Sequence, residues 1–292
     1  MSEALRPTAH SGRRSVTARR TVVGLFILVV VAGIFLVPYY WMLVSSVKGT
    51  SDIFADLTPF SWRALVAASP TLDGYVRLFT DEGVGLALIN SVLIGAIQVG
   101  GALVVCTLAA YALTRMRFPG QRLVFALILV TFMVPVEALL VPLYTVVSGL
   151  GLQDTLLAVA APWVASVFGL FLLRQSFEEI PRELDEAARL DGAGHLRILL
   201  QVILPNLKAP LASMCLILFL FSWNSFLWPL VINQSPAAMP IQVAIAQSVS
   251  PTTPPDWSLT FAGAVVATLP LVVLFLFLQR YFVRGLASSG LK

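Results

Sequence analysis

The chain has 292 residues, of which 58% are hydrophobic and 12% are charged, and its mean hydropathy is +0.88. Soluble domains carry about 25% charged residues, so this composition excludes a protein that faces water on all sides and predicts a multi-span membrane protein. The formal net charge of +4 does not indicate nucleic-acid binding, because basic residues in membrane proteins mostly mark the cytoplasmic face.

The cysteines and histidines of the sequence predict neither a metal site nor a disulfide. Cys106 and Cys215 both lie inside apolar runs and are interpreted as buried small side chains. Their spacing matches no metal-binding or disulfide pattern. With His10 and His195 as the two histidines of the chain, a histidine-rich metal site is excluded.

Six apolar windows are long enough to cross a membrane as helices, which takes about 20 residues each. They are too continuously apolar for the strands of a membrane barrel, so the predicted fold class is an all-α membrane protein with six transmembrane helices. The first window exceeds the apolar core of about 7–15 residues of a cleavable signal, which predicts a retained span. The windows are 22–44, 86–113, 123–147, 155–173, 209–231 and 259–281, within one domain 22–281 between the tails 1–21 and 282–292.

The distribution of basic residues predicts which side of the membrane each connection occupies. Sixteen of the nineteen lysines and arginines fall in the N-terminal tail, in 114–122, in 174–208 and in the tail from Arg280. The other three are Lys48, Arg63 and Arg77. Because cytoplasmic loops carry the excess of basic residues, both termini and the segment 174–208 are predicted to be cytoplasmic.

The polar segment 174–208 is predicted to form two short helices around a turn at Asp191-Gly192. Pro181 suits the first turn of a helix, and Pro205 marks the approach to the fifth span. The helical apolar faces consist of Leu184, Ala187 and Ala188, and of Leu196, Leu199, Leu200 and Ile203. From these residues alone, two interpretations stay open: a docking surface for a soluble partner, and an amphipathic segment lying on lipid headgroups.

At this point the residues resemble a known family. Glu186-Ala187-Ala188, followed by Gly192 and by Val202-Ile203-Leu204-Pro205, is similar to the cytoplasmic signature of binding-protein-dependent ABC importer permeases, with valine in place of an isoleucine. Other stretches resemble the smaller permease subunit of the maltose-type carbohydrate-uptake branch. They are Asn90-Ser91, 109–112, 117–120, 133–135, 142–144, 223–229, Asp256-Trp257, 279–283 and Gly285-Leu286.

The resemblance implies a type I ABC importer permease fold and a set of partners. These are a second permease subunit, two ATPase subunits, an extracytoplasmic sugar-binding protein, a sugar substrate and the lipid bilayer. The implied ATPase-coupling residues are Asp185, Glu186, Ala187, Ala188, Arg189, Leu190, Asp191 and Gly192. The sequence has no Gly-x-x-x-x-Gly-Lys-Ser/Thr loop. The chain is therefore expected to be a non-catalytic subunit, with no cofactor of its own, while ATP and Mg bind to the partner ATPases.

Polar and aromatic residues at membrane depth are candidates for the substrate pathway. Asn224 can hydrogen-bond sugar hydroxyls or bond to another helix, and it lies among Trp223, Ser225 and Trp228. Glu137, placed towards the outer half of a continuous third span, is either a pathway group or a carboxyl satisfied by backbone freed at prolines. The pathway candidates are therefore Asn224, Trp223, Ser225, Trp228 and Glu137.

An ion-coupled secondary transporter is the alternative function. Such a protein needs buried, pairable acids in several spans, and Glu137 alone comes close to that description. Asp154, just before the fourth span, is predicted to be the N-cap of that helix.

Overall fold

The computed structural model describes residues 11–57, 59–248 and 255–289, with side chains from Thr21 to Phe277 within those ranges. Apart from one isolated bridge, the secondary structure of this part is helical. The α-helices are α1 Ser11–Ser45, α2 Thr50–Ala55, α3 Asp73–Thr80, α4 Val84–Arg115, α5 Gln121–Thr131, α6 Val136–Gly149, α7 Leu156–Ala160, α8 Val167–Glu178, α9 Glu183–Leu190, α10 His195–Arg197, α11 Lys208–Trp223, α12 Leu227–Ile232, α13 Ile241–Ser248 and α14 Trp257–Ser289. The start of the predicted N-terminal tail and the last three residues of the C-terminal tail lie outside the described residues.

The helices account for the predicted membrane spans, two of them in bent form. Four helical stretches in the described part are long and apolar enough to cross a membrane: Thr21–Ser45, Val84–Arg115, His195–Trp223 and Trp257–Phe277. Two bent pairs, α5 with α6 and the stretch Leu156–Trp163 with α8, bring the number to six when each pair is counted as one span. The helical class of the fold is thus confirmed.

The prediction of a continuous third span over 123–147 is wrong. Helices α5 and α6 meet at an angle of 99° across the break 132–135. Pro135 is the N-cap of α6 with φ −64° and ψ 136°. A proline cannot donate the next helical hydrogen bond, and it disfavours the helical conformation of the residue before it. The chain therefore leaves one helix before Pro135 and starts another after it.

The predicted bounds of the fifth span, 209–231, are also wrong. The helical stretch starts at His195 and ends at Trp223, and α12 follows after a short break. The second of the two predicted short helices is therefore the beginning of this span. It passes through a π-helical segment, Ile198–Ile203, and a 3-10 turn, Leu204–Leu207. Pro205 explains the irregularity, because it lacks the N–H that a regular α-helix needs there.

Helix α4 lies at the centre of the bundle and packs against α7, α8, α11 and α13. Small residues permit this close packing, as is usual between membrane helices. A Cβ atom at Gly101 would lie 2.7 Å from Val164 Cγ1. Towards the C-terminal end of α4, Tyr111 joins a buried apolar cluster. This cluster also contains Phe177 of α8, Ile203 of the π-helical segment and Met214 of α11. The segment before α11 is therefore packed against the same end of α4 as α8.

At the opposite end of the bundle, Asp256 ties the short helices α2 and α3 to α14. Thr50 donates a 2.7 Å hydrogen bond to Asp256 Oδ1, Arg77 forms an ion pair with Oδ2, and the backbone N–H of Leu259 also donates to Oδ1. Burial by itself raises the pKa of Asp256, but the hydrogen bonds from Thr50 and Arg77 outweigh it and hold the pKa below its ordinary value. The charged carboxylate is therefore the form that the fold stabilises.

We expect Asp256→Asn to reduce stability at neutral pH by about 1 kcal/mol, the upper range for partly exposed ion pairs. Because the pKa is lower in the folded than in the unfolded chain, this contribution is present above the ordinary aspartate pKa and is lost as the pH falls through the folded-state value. Thermal unfolding of the purified wild type and variant across the acidic range checks this. If the difference in melting temperature between the wild type and the variant were the same at every pH, the prediction would be contradicted.

Candidate functional site

The segment around Glu186 forms α9, a single amphipathic helix outside the candidate membrane spans. Its first turn contains Glu183, Asp185 and Glu186, whose negative charges suit the positive end of the helix dipole. Arg189 lies in the last turn, where a positive charge is favourable. The sequence-based prediction of a helix here that stops before Gly192 is confirmed.

The turn after α9 has the hydrogen bonding of a Schellman motif. The N–H of Ala193 donates to the carbonyl of Ala188 at 2.9 Å, and the N–H of Gly192 donates to that of Arg189 at 3.0 Å. Gly192 has a φ of +78°, in the left-handed region that glycine adopts without a steric penalty. The turn therefore has a defined shape that depends on Gly192.

A buried ion pair fixes α9 to the end of α4. Arg115 Nε lies 2.8 Å from Asp185 Oδ2, and the two side chains are only 3% and 6% exposed. Arg115 also donates through Nη2 to the carbonyl of Ile180 at 2.8 Å, and Arg182 donates to the carbonyl of Thr114 at 3.0 Å. Three polar contacts therefore join the last turn of α4 to residues 180–185, which include the first turn of α9.

Sequence reasoning missed Arg115 and grouped Asp185 with the residues that meet a partner. The structure instead turns Asp185 towards the bundle, on the same side of α9 as the half-buried Ala188. One signal was available: a carboxylate on the inward face of a small helix requires a cationic partner, since a buried unpaired charge is costly. A second link nearby is the 2.8 Å hydrogen bond between Tyr111 Oη and His195 Nδ1.

The opposite side of α9 is open. Leu190 is 90% exposed, and Glu186, Ala187 and Arg189 are exposed as well. A cleft of about 710 Å³ is lined by α9 and by residues 115–118. Its polar lining comprises Arg115, Arg117, Arg182, Asp185, Glu186, Arg189 and His195. The arrangement combines an apolar tip with a predominantly basic cleft at the ends of the candidate spans Val84–Arg115 and His195–Trp223.

The two tryptophans predicted for the substrate pathway are buried. Trp223 is 1% exposed and donates through Nε1 to the carbonyl of Ala267 at 3.0 Å, while its ring stacks on Phe219. Trp228 is 2% exposed and donates to the carbonyl of Ala158 at 3.1 Å. Both indoles have a satisfied N–H and no accessible face in this conformation, so they position α11, α12 and α14 around the break at 224–226.

The polar residues predicted for the pathway lie next to helix breaks. Asn224 is exposed directly after α11, and its side chain donates to the carbonyl of Leu220 at 2.8 Å; Ser225 beside it is half-buried. Glu137 is exposed in the first turn of α6. Its predicted depth along a continuous third span is wrong, because the 99° bend lies just before it.

The prediction for Asp154 is wrong. The N-cap of α7 is Thr155, whose side chain accepts a 3.0 Å hydrogen bond from the N–H of Ala158. Asp154 has a φ of +56°, and its Oδ1 accepts from the backbone N–H groups of Gln234 and Ser235. The aspartate therefore connects the loop before α7 to the loop after α12.

Comparison with known proteins identifies the family. The model of the family described as "Binding-protein-dependent transport system inner membrane component" matches residues 102–288. The sn-glycerol-3-phosphate transport system permease protein UgpE of Yersinia pestis bv. Antiqua is 40% identical over 207 residues, 70% of this chain and 73% of that protein. The lactose transport system permease protein LacG of Rhizobium radiobacter is 31% identical over 252 residues, 86% of this chain and 89% of that protein.

A solved structure shares the fold. A bacterial ABC transporter involved in the import of the acidic polysaccharide alginate superposes with a TM-score of 0.77 at 22% identity, covering 95% of this chain and all of that chain. This confirms the ABC importer permease fold that the resemblance implied. The chain therefore belongs to the family of inner membrane components of binding-protein-dependent transport systems.

Proposed function

We propose that this chain is the translocation subunit of an ATP-driven importer that carries a sugar or a sugar-like solute, and that α9 seats in a cleft of a separate ATPase. Relatives named for glycerol-3-phosphate, lactose and arabinooligosaccharide transport support the substrate class. The alternative of an ion-coupled secondary transporter finds no support in the family or in these relatives.

The observation that carries the proposal is the exposure of Leu190. An isolated exposed leucine is ordinary on a protein surface. This one is 90% exposed at the tip of a short helix whose opposite face is fixed by a buried ion pair. Exposed Ala187 lies one turn earlier and allows a close approach of another backbone. These features favour a rigid docking surface over a segment that adapts to lipid headgroups.

The contacts behind α9 provide the route by which movement of an ATPase reaches the spans. Arg115 and Asp185 connect α9 to α4, and α4 in turn packs against α8 and α11. Rigid-body movement of a docked partner therefore displaces the central helix of the subunit. Such movement of one bundle against another is the usual basis of alternating access in transporters.

The proposed assembly contains a second permease subunit, two ATPase subunits that bind ATP and Mg, and an extracytoplasmic sugar-binding protein. One half of the translocation path comes from this chain, because it has a single coupling helix in the described residues. Asn224 and Ser225 are the proposed polar groups of the path, since the break after α11 leaves them accessible. Glu137 is the proposed acidic group at the bend of the third span.

Leu190→Asp tests the docking surface. We expect the variant to insert normally but to bind the ATPase roughly 10- to 100-fold more weakly, because burial of a leucine contributes about 1.5–3 kcal/mol. Co-purification of the ATPase with the tagged permease, titrated against ATPase concentration, measures this. The matched control is Leu72→Asp, an exposed leucine before α3 at the other end of the bundle. Full ATPase binding by Leu190→Asp would overturn the assignment of α9.

A further inference from the structure

A second basic cavity lies away from the open face of α9, between the end of α4, the start of α5 and the end of α8. Its volume is about 260 Å³. Its lining residues are Leu113, Thr114, Gln121, Arg122, Phe125, Arg174, Glu178 and Arg182. Three arginines and one glutamate give the cavity a net charge of +2. Arg182 lines both this cavity and the cleft beside α9, whereas the other lining residues belong to this cavity alone.

The three arginines differ in how far their charge is already compensated. Arg174 is paired with Glu178 at 2.8 Å and its guanidinium lies 3.8 Å from the centre of the Phe125 ring, yet its buried Nε has no hydrogen-bond acceptor within the described ranges. Arg182 donates to a neutral carbonyl, that of Thr114. Arg122 is exposed and has neither an ion pair nor a side-chain hydrogen bond to any described residue. Two positive charges therefore face the cavity without a carboxylate.

The cavity opens beside an apolar strip. Helix α5 starts at Gln121 next to the cavity and exposes Leu123, Leu127 and Val130 at 63%, 57% and 57%. These residues follow the i, i+4 and i+7 positions of one helix face. A ligand with an anionic head and apolar chains therefore matches both surfaces at once, and a water-soluble anion matches the cavity alone.

We propose that this cavity binds the phosphate of an anionic phospholipid, whose acyl chains lie along α5. Arginine guanidinium groups bind phosphate oxygens through paired, charge-assisted hydrogen bonds. Basic pockets between membrane helices attract anionic headgroups more strongly than zwitterionic ones. Arg122 and Arg182 supply the two positive charges that have no carboxylate partner.

Native mass spectrometry of the assembled transporter tests the proposal. The complex is purified from nanodiscs containing phosphatidylglycerol or phosphatidylcholine with identical acyl chains, and the lipids retained are counted. We expect retained phosphatidylglycerol, little retained phosphatidylcholine, and about five-fold weaker retention in Arg122→Gln, as for loss of one interfacial arginine. Arg63→Gln, an exposed arginine at the opposite end of the bundle, is the matched control and keeps wild-type retention.

A competition arm separates the two sources of phosphate. Inorganic phosphate added in excess is expected to leave the bound lipid in place, because it cannot use the strip Leu123, Leu127 and Val130. Displacement of the lipid by inorganic phosphate would show a site for a free anion and overturn the proposal. Equal retention of both lipids, or equal losses in Arg122→Gln and Arg63→Gln, would overturn it as well. None of these readouts depends on the transported solute or on ATPase docking.

Discussion

Replacing Asp185 by asparagine is expected to destabilise the subunit by about 3–5 kcal/mol, because it leaves Arg115 as an uncompensated buried charge. Arg115 is 3% exposed and has no other carboxylate within ion-pair distance in the described residues. Thermal unfolding of the purified subunit measures the loss. The control is Glu186→Gln, which removes the same charge from the exposed neighbour on α9 and is expected to shift stability by less than about 0.5 kcal/mol.

A double variant separates stability from transmission of movement. Arg115→Met combined with Asp185→Leu removes both buried charges, and such replacement restores most of the stability lost on breaking a buried pair. We expect this variant to unfold near the wild-type temperature but to take up solute more slowly per ATP hydrolysed, because the hydrogen bond from Arg182 to Thr114 is then the remaining one of the three polar contacts at the end of α4. Wild-type uptake per ATP in reconstituted vesicles would show that the pair is structural only.

Gly192→Pro is expected to abolish uptake while the subunit remains inserted. Proline fixes φ near −65°, whereas Gly192 has a φ of +78° and donates to the carbonyl of Arg189. The local cost is about 3 kcal/mol, and it falls on an exposed turn where an added Cβ meets nothing within 4 Å. The bundle therefore survives while the tip of α9 changes shape. Uptake and ATP hydrolysis in reconstituted vesicles measure the uncoupling.

The chain offers a close control for this substitution. Gly194 lies two residues further on with a φ of −76°, which proline adopts, and its N–H donates to no backbone carbonyl in the described part. Gly194→Pro is therefore expected to transport normally. If both proline variants lost uptake equally, the left-handed turn at Gly192 would not be the cause.

Local signals in the sequence were sufficient for the class of fold and for α9. Long apolar windows predict spans because lipid leaves the backbone no other hydrogen-bond partners. The acidic residues in the first turn of α9 and the glycine after its last turn predict where the helix begins and ends, because both effects depend on residues that are neighbours in the chain. Local signals do not predict tertiary contacts. The ion pair between Arg115 and Asp185 joins residues far apart in the chain, and no local pattern identifies Arg115 as the partner of Asp185.

The errors at prolines have a related cause. Pro135 and Pro205 each remove one backbone hydrogen-bond donor. The sequence predicts that loss but does not predict whether the helix will bend or continue. At Pro135 the chain turns by 99°, whereas at Pro205 the helix continues through π and 3-10 turns. The difference depends on packing: the segment before Pro205 has Ile203 fully buried, whereas Phe132 and Met133 before Pro135 are exposed.

Two of the connections from α9 into the bundle differ in the regularity of their structure. One is a buried 2.8 Å ion pair onto the last turn of a continuous 32-residue helix, α4. The other passes through the π and 3-10 turns before α11, where the hydrogen-bond pattern departs from that of a regular α-helix. A displacement of α9 therefore reaches α4 through a direct side-chain contact and reaches α11 through an irregular stretch of backbone.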